Sequence, residues 1–279
     1  MTESVKTAEE QQITTLANRF RGYYPVIVDV ETAGFDPKTS ALLEVAFCTV
    51  KINEQGMVEK DTMYHCTIAP FPGATIEEAN IKFLGIDPFD PERKALDEKV
   101  ALVPIFKELN KKVKAAGCKR AVLVGHNANF DHSFIMSAAE RIKFKRNPFH
   151  PFTVIDTASL AFLFLGHSVL SVACETAGIE FNAQNAHGAE YDTDREAELF
   201  CYFVNRFKEL GGWPLSGNDL ERANSAKEKY DNRNNVTTET AGAGAGAGAE
   251  AGTGSAGTEG EAGAETELEN KVADATKEC

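Results

Sequence analysis

The sequence predicts an α/β domain built on one mixed sheet, with its first three strands antiparallel, its later strands parallel, and helices flanking it. Short turns separate three apolar, β-branched segments near the start of the chain, which is typical of an antiparallel meander. Strand-like and helical segments then alternate, as in parallel sheets. Of the 279 residues, 43% are hydrophobic, which is enough to fill a sizeable core.

The hydrophobic rhythm of each segment predicts its type. A short helix leads into the first strand. In the helix of residues 95–118, Pro104 suggests that regular helix begins only at Pro104, since proline fits best in a first turn. Gly211 and Gly212 are expected to stop the last helix. The predicted strands are residues 26–34, 41–52, 61–70, 119–127 and the start of 150–164, and the predicted helices are 13–25 (in part), 75–87, 95–118, 130–142, the end of 150–164, 168–178 and 191–210.

The composition predicts three regions: a flexible start (1–12), a folded domain (13–220) and a disordered acidic tail (221–279). The tail is of low complexity from about residue 236, where Ala, Gly, Thr and Glu leave almost nothing to bury. Residues 236–279 carry nine acids and two lysines, a net of −7, so the whole-chain charge of −13 leaves −6 for residues 1–235. This balance argues mildly against non-specific nucleic-acid binding, although a local basic patch would suffice for binding.

Six scattered cysteines, none in a C-x-x-C pair, favour free thiols in a reducing compartment over a disulfide framework or a thiolate metal site. The first residues lack the charged start and apolar core of a signal peptide. The most apolar run, SLAFLFLG, is too short to cross a membrane. We therefore expect a cytoplasmic protein without a membrane partner.

The segment VIVDVETAGF places Asp29 and Glu31 on one face of a strand that is otherwise apolar. Two neighbouring carboxylates repel each other and lose water on burial, at a cost of roughly several kcal/mol unless something compensates. Either the strand ends there in solvent, as Thr32 and Gly34 suggest, or a divalent cation lies between the two acids.

Two further segments carry acids where helices begin, a place where functional groups gather in α/β sheets. Asp131 follows the strand VLVG, and Asp192 follows His187 by five residues at the start of the last helix. Each also has an ordinary interpretation, because helix dipoles favour acids in the first turn and a lone histidine in a loop is common.

Together these residues form D-x-E, H-N-x-x-F-D and H-x4-D, in that chain order. This order resembles the DEDDh exonuclease superfamily, whose fold is ribonuclease H-like. The segments YYPVIVDVETAGF, GHNANFDHSF, RNPFHPF and GGWPL extend the resemblance to its ribonuclease T family over roughly residues 13–215.

The resemblance implies that Asp29, Glu31, Asp131 and Asp192 hold two Mg²⁺ ions and that His187 takes the proton from the attacking water. Hard cations prefer carboxylate oxygens, and an imidazole suits proton transfer near neutral pH. The implied activity is 3′→5′ exoribonuclease trimming of single-stranded 3′ ends of tRNA and other stable RNAs, releasing nucleoside 5′-monophosphates.

Aromatic side chains beside the acids would hold the end of the RNA. Most phenylalanines belong to the core, but Phe35 and Phe130 adjoin the catalytic motifs, and stacking on bases is worth about 1–3 kcal/mol each. The resemblance implies that Phe35, Phe83, Phe130 and Phe152 stack on the last two bases. The family's base-contacting Glu aligns with Ala79, one place after Glu78, so that family's base preference does not carry over directly.

The resemblance also implies a homodimer in which basic residues of one subunit guide RNA to the site of the other. The matching positions are Arg19, Arg21, Lys114, Arg120 and Lys145. Lysine runs are also typical of solvated helix faces. The alternatives to an exoribonuclease are a proofreading-type DNA exonuclease, which uses the same five site residues, and a non-catalytic nucleic-acid-binding protein, which would be expected to lack one of them.

Overall fold

The computed structural model describes residues 15–242, with side chains described as far as residue 232. The predicted flexible start and the low-complexity tail from residue 243 onward lie outside the described residues. The described residues up to Arg206 form one compact unit, and those from Phe207 form a second.

The first unit contains five strands, and helices flank them. The strands are β1 (Tyr23–Thr32), β2 (Leu42–Ile52), β3 (Val58–Thr67), β4 (Arg120–Gly125) and β5 (Phe149–Asp156). The helices of the described chain are α1 (Leu16–Arg19), α2 (Glu78–Leu84), α3 (Glu98–Ala115), α4 (Asn129–Arg141), α5 (Thr157–Leu165), α6 (Leu170–Thr176), α7 (Ala189–Glu209) and α8 (Gly217–Gly242), with a 3₁₀ turn at Pro91–Arg93.

The sheet order is β3-β2-β1-β4-β5. Strands β1, β2 and β3 pair antiparallel, whereas β1 with β4 and β4 with β5 pair parallel, so the predicted mixed sheet is confirmed. Strand β1 lies in the centre, and its carboxyl end adjoins that of its parallel neighbour β4. In such sheets ligands bind outside the carboxyl ends of the strands.

The core lies between this sheet and the apolar faces of α3, α4 and α7. Phe47 of β2 stacks on Phe149 of β5 at 6.2 Å between ring centroids, and Phe106 of α3 meets Phe47 edge-on at 6.3 Å. Phe134 and Phe200 bring α4 and α7 to the same core. This packing fixes the beginnings of α4 and α7 against the central strands.

The structure differs from the sequence prediction at two helices. Helix α3 is regular from Glu98, because the Asp97 side chain caps it and its packed face outweighs the hydrogen bond lost at Pro104. Helix α8 covers residues 221–242, which the sequence assigned to the disordered tail. Its first half is rich in Ala, Glu, Lys and Arg, which have strong helix propensity.

Among residues 15–242, no single helix is both long and apolar enough to span a membrane. Taken together, α5 and α6 reach that length and composition, with a bend of 49° between them.

Candidate active site

The two acids of β1 lie at the carboxyl end of the central strand. Asp29 pairs with Ala46 across the sheet and Glu31 with Glu44, and the register shifts immediately after Glu31. Because the two acids are two residues apart, their side chains share one face of the sheet. Glu31 is buried and Asp29 half-buried, so the alternative of a strand end open to solvent does not describe them.

Asp131 reaches the same place from the first turn of α4. Its Oδ1 accepts a hydrogen bond from the main-chain N–H of Val30 at 3.2 Å, which ties the start of α4 to β1. Gly125, the last residue of β4, makes this approach possible: a Cβ there would lie 3.2 Å from Asp131 Oδ2 and 3.1 Å from the Val28 carbonyl oxygen. Both distances are tighter than ordinary packing.

The third contribution comes from the loop before α7 and the first turn of that helix. Asp192 Oδ2 accepts a hydrogen bond from the main-chain N–H of His187 at 3.0 Å, and His187 adopts a positive φ of 67°. Oxygens of Glu31 and Asp192 and a ring nitrogen of His187 lie within 4.8 Å of one another. Asp194, two residues further along, instead forms ion pairs with Lys60 at 2.6 Å and with Arg195.

The electrostatics show that the four acids destabilise one another. Burial, followed by the charges of neighbouring acids, raises the pKa of Asp29 to about 8 and that of Glu31 to about 9. Burial is also the main cause that raises the pKa of Asp131 and Asp192. Glu44 is a further source of repulsion for both β1 acids, and only the strand register reveals it.

Two carboxylate oxygens of this cluster, Asp29 Oδ2 and Asp192 Oδ1, are buried without a hydrogen-bond partner in the described chain. Buried polar atoms are nearly always paired, so such an oxygen calls for a ligand. An all-carboxylate set with one imidazole suits a hard divalent cation, which would both satisfy these oxygens and offset the repulsion. The residues present therefore fit a divalent metal centre.

The four predicted base-stacking residues differ in exposure. Phe35, Phe83 and Phe152 are 70%, 68% and 86% exposed, which is unusual for large apolar side chains, whereas Phe130 is half-buried against Phe134. Phe35 meets Phe130 edge-on at 6.3 Å between centroids, beside Asp131.

Phe83 lies against the ring of His187, with 4.7 Å between centroids. Phe152 lies on β5 next to His150. Aromatic side chains therefore lie at two places in the site. Phe35 and Phe130 lie beside Asp131, and Phe83 lies beside His187. Ala79 is exposed on α2, one turn before Phe83.

The predicted basic residues lie at the opposite end of the sheet. Arg19 and Arg21 precede β1, and Arg120 begins β4, level with Tyr23 in the parallel register. Lys114 lies in the last turn of α3 and Lys145 in the α4–β5 loop, both exposed. At about 3.3 Å per residue, the six steps along the strand from Tyr23 to Asp29 span roughly 20 Å. The structure therefore brings the acids together but keeps these basic residues away from them.

A sequence profile of the exonuclease family matches residues 26–200, more than half of the chain. The chain therefore belongs to the exonuclease family. Among its relatives is ribonuclease T of Escherichia coli strain K12, which is 57% identical over 209 residues, or 75% of this chain and 97% of that protein. Ribonuclease T of Shigella flexneri is 57% identical over 208 residues, with the same coverage of both chains.

Solved structures show the same fold at low sequence identity. E. coli exonuclease I in complex with a dT13 oligonucleotide matches with a TM-score of 0.53 and 15% identity over 68% of this chain and 43% of that one. A 3′-exonuclease that recognises the 3′ end of a histone mRNA stem-loop matches with a TM-score of 0.52 and 16% identity over 74% and 76% of the two chains. The predicted ribonuclease H-like fold and exoribonuclease class are confirmed.

Proposed function

We propose that this exonuclease trims single-stranded 3′ ends of tRNA and other stable RNAs in the cytoplasm, using two Mg²⁺ ions, and releases nucleoside 5′-monophosphates. The observation that carries the proposal is the convergence of four carboxylates from β1, α4 and α7, two of them with unpaired buried oxygens. The high identity to proteins named ribonuclease T supports RNA as the substrate.

In the proposed reaction, Asp29, Glu31, Asp131 and Asp192 hold the two ions. When bound, the ions would supply activation of the attacking water and stabilisation of the departing 3′ oxygen. His187 accepts the proton of that water on its exposed ring, while its main-chain N–H is held by Asp192. Hydrolysis breaks the bond between the last phosphorus and the 3′ oxygen of the shortened strand, so the phosphate leaves with the released nucleotide.

The exposed phenylalanines determine which substrates fit. Phe35 beside Asp131 and Phe83 beside His187 can stack only on bases that are not paired in a duplex. We therefore propose that Phe35, Phe83, Phe130 and Phe152 hold the last two unpaired bases, and that a duplex end stops the enzyme.

The position of the basic residues supports a homodimer. Roughly 20 Å separates the amino end of β1 from its own acids, so this end is well placed to bind the RNA backbone for a second copy. Arg19, Arg21, Lys114, Arg120 and Lys145 would then guide RNA in trans. Exposed apolar side chains on α5 and immediately before α6, namely Phe162, Leu163 and Val169, offer a surface that a second copy could cover.

The test is digestion of 5′-labelled RNA with a short unpaired 3′ tail, with Mg²⁺ or with EDTA. Wild type should give a Mg²⁺-dependent ladder that shortens from the 3′ end, and Asp29→Asn should give none. Glu54→Gln removes one charge from the exposed β2–β3 turn and should cut like wild type.

Two other results would contradict the proposal. A ladder from single-stranded DNA but not from RNA would indicate a proofreading-type DNA exonuclease. Binding without cleavage by folded wild-type protein in Mg²⁺ would indicate a non-catalytic nucleic-acid-binding protein.

A further inference from the structure

A fifth acid is buried one helical turn after Asp192. Glu196 of α7 is 2% exposed, and residues four apart on a helix lie on the same face. Both therefore point from α7 toward the central strands. Sequence reasoning passed over Glu196, because charged residues every few positions are ordinary in an amphipathic helix.

Glu196 lacks the partner that a buried structural acid has. Its Oε2 is buried with no hydrogen-bond partner in the described part of the chain. Glu98 provides a contrast at 4% exposure: its two oxygens accept hydrogen bonds from Arg141 at 2.7 and 3.0 Å. A carboxyl group without such a cation is unfavourable in a core, so another group must compensate for it.

The neighbours of Glu196 are the metal-binding acids. Burial, followed by the charges of Asp29, Asp131 and Asp192, raises its pKa well above the ordinary value, and a hydrogen bond from the main-chain N–H of His126 lowers it in part. Asp29 and Asp192 each present a buried unpaired oxygen as well. Three unpaired carboxylate oxygens thus belong to one cluster. Among the described residues, the His187 ring is the one cationic group that shifts any of these four pKa values, and it lowers that of Asp192 alone.

We propose that Glu196 is a positioning residue of the metal centre. It lies behind Asp29, Asp131 and Asp192, adds a fifth negative charge to the four that hold the ions, and so strengthens metal binding. Groups behind the direct ligands of a metal typically change its affinity by 10–100-fold. This inference rests on the proposed function, since it requires that the acids bind a divalent cation.

The test measures binding of Mn²⁺ alone, which prefers the same oxygen ligands as Mg²⁺ and can be followed by electron paramagnetic resonance. Glu196→Gln keeps the size of the side chain and should weaken Mn²⁺ binding about tenfold or more. Glu196→Asp keeps the charge and should recover most of that loss. Glu98→Gln, the matched control, removes an equally buried acid and should leave the affinity within about twofold of wild type.

Thermal unfolding separates this role from a purely structural one. Without metal, Glu196→Gln should melt at a higher temperature than wild type because it removes a repelling acid, whereas Glu98→Gln should melt lower because it weakens an ion pair. An affinity of Glu196→Gln within twofold of wild type, or a metal-free melting temperature that falls as for Glu98→Gln, would overturn the proposal. Failure of the wild type itself to bind Mn²⁺ would instead overturn the proposed function, and this inference with it.

Discussion

Removing the divalent metal should make the stability of this protein fall steeply as the pH rises from about 6.5 to 8. Asp29 and Glu31 have pKa values raised to about 8 and about 9, from ordinary values of 3.8 and 4.5. An acid with a raised pKa in the folded state contributes stability that is complete below its unfolded pKa and is lost as the pH rises through its folded pKa. The metal-free protein therefore loses this stability between about pH 4 and pH 9.

The magnitude follows from the number of protons that the folded state retains. Between pH 6.5 and 8 the unfolded carboxylates are ionised, while the folded protein keeps between one and two protons on this pair. Each retained proton changes the free energy of unfolding by about 1.4 kcal/mol per pH unit. The expected loss is about 2–4 kcal/mol, which corresponds to a fall of about 5–15 °C in Tm for a domain of this size.

Other titrating groups do not obscure this window. Burial lowers the pKa of His126, so this residue makes the stability rise with pH rather than fall. Its contribution to stability is complete above its ordinary pKa of 6.5. The described acids with lowered pKa values act below about pH 4.5; they are Glu59, Asp61, Asp156 and Asp194. The slope above pH 6.5 therefore reports mainly the acids of the metal centre.

The assay is thermal unfolding followed by circular dichroism, in EDTA and in saturating Mg²⁺. Mg²⁺ should remove the downward slope, because the cation competes with protons and binds more tightly as the pH rises. The double variant Asp29→Asn, Glu31→Gln should lose about half of the slope or more in EDTA, since amides do not titrate. A Tm of metal-free wild type that stays constant or rises over this range, with the same slope in the double variant, would refute the reasoning.

Three further predictions concern single residues, two at the site and one in a buried ion pair. Phe152→Ala should raise KM for RNA about tenfold, because stacking on a base is worth about 1–3 kcal/mol. It should leave Tm unchanged, because the ring is exposed. An unchanged KM would mean that Phe152 does not contact the RNA. Gly125→Ala should lower kcat at least about tenfold, because the added Cβ would press against the Asp131 carboxylate. Full activity of this variant would contradict the close approach of Asp131 to Gly125. Glu98→Gln should lower the free energy of unfolding by about 2 kcal/mol in urea titrations, because it breaks the ion pair with Arg141; an unchanged value would mean that the pair is dispensable.

The mixed sheet was predictable, although its strand order was not, because connection length constrains the relative direction of paired strands. Short turns can join only antiparallel neighbours, whereas the later strands are separated by helices and pair parallel. Helix α3 was harder to predict: Pro104 is a local signal against a helix, and it is overridden by packing that involves residues distant in sequence, such as Phe47. The sequence did not predict helix α8, because the composition of the whole tail hides the residues of high helix propensity at the start of that tail.

For the site, the sequence identified which residues to examine, and the structure added how they interact. The spacing D-x-E places two acids on one face of a strand, but only the register reveals that Glu31 lies opposite Glu44. Helical spacing alone could have related Glu196 to Asp192, although it could not show that Glu196 Oε2 is buried without a hydrogen-bond partner in the described part of the chain. The roles assigned to His187 and to the phenylalanines remain predictions.

The repulsion among the four acids links metal binding to folding. The acids come from β1, α4 and α7, three segments that are distant in the chain, and their repulsion opposes the packing of α4 and α7 on the sheet. A protein under selection for stability alone would not bury these acids together without cationic side chains. Binding of a cation turns the same repulsion into attraction, so part of the binding free energy appears as stability of the fold. The three segments that carry these acids should therefore be held most firmly in place when a cation is bound.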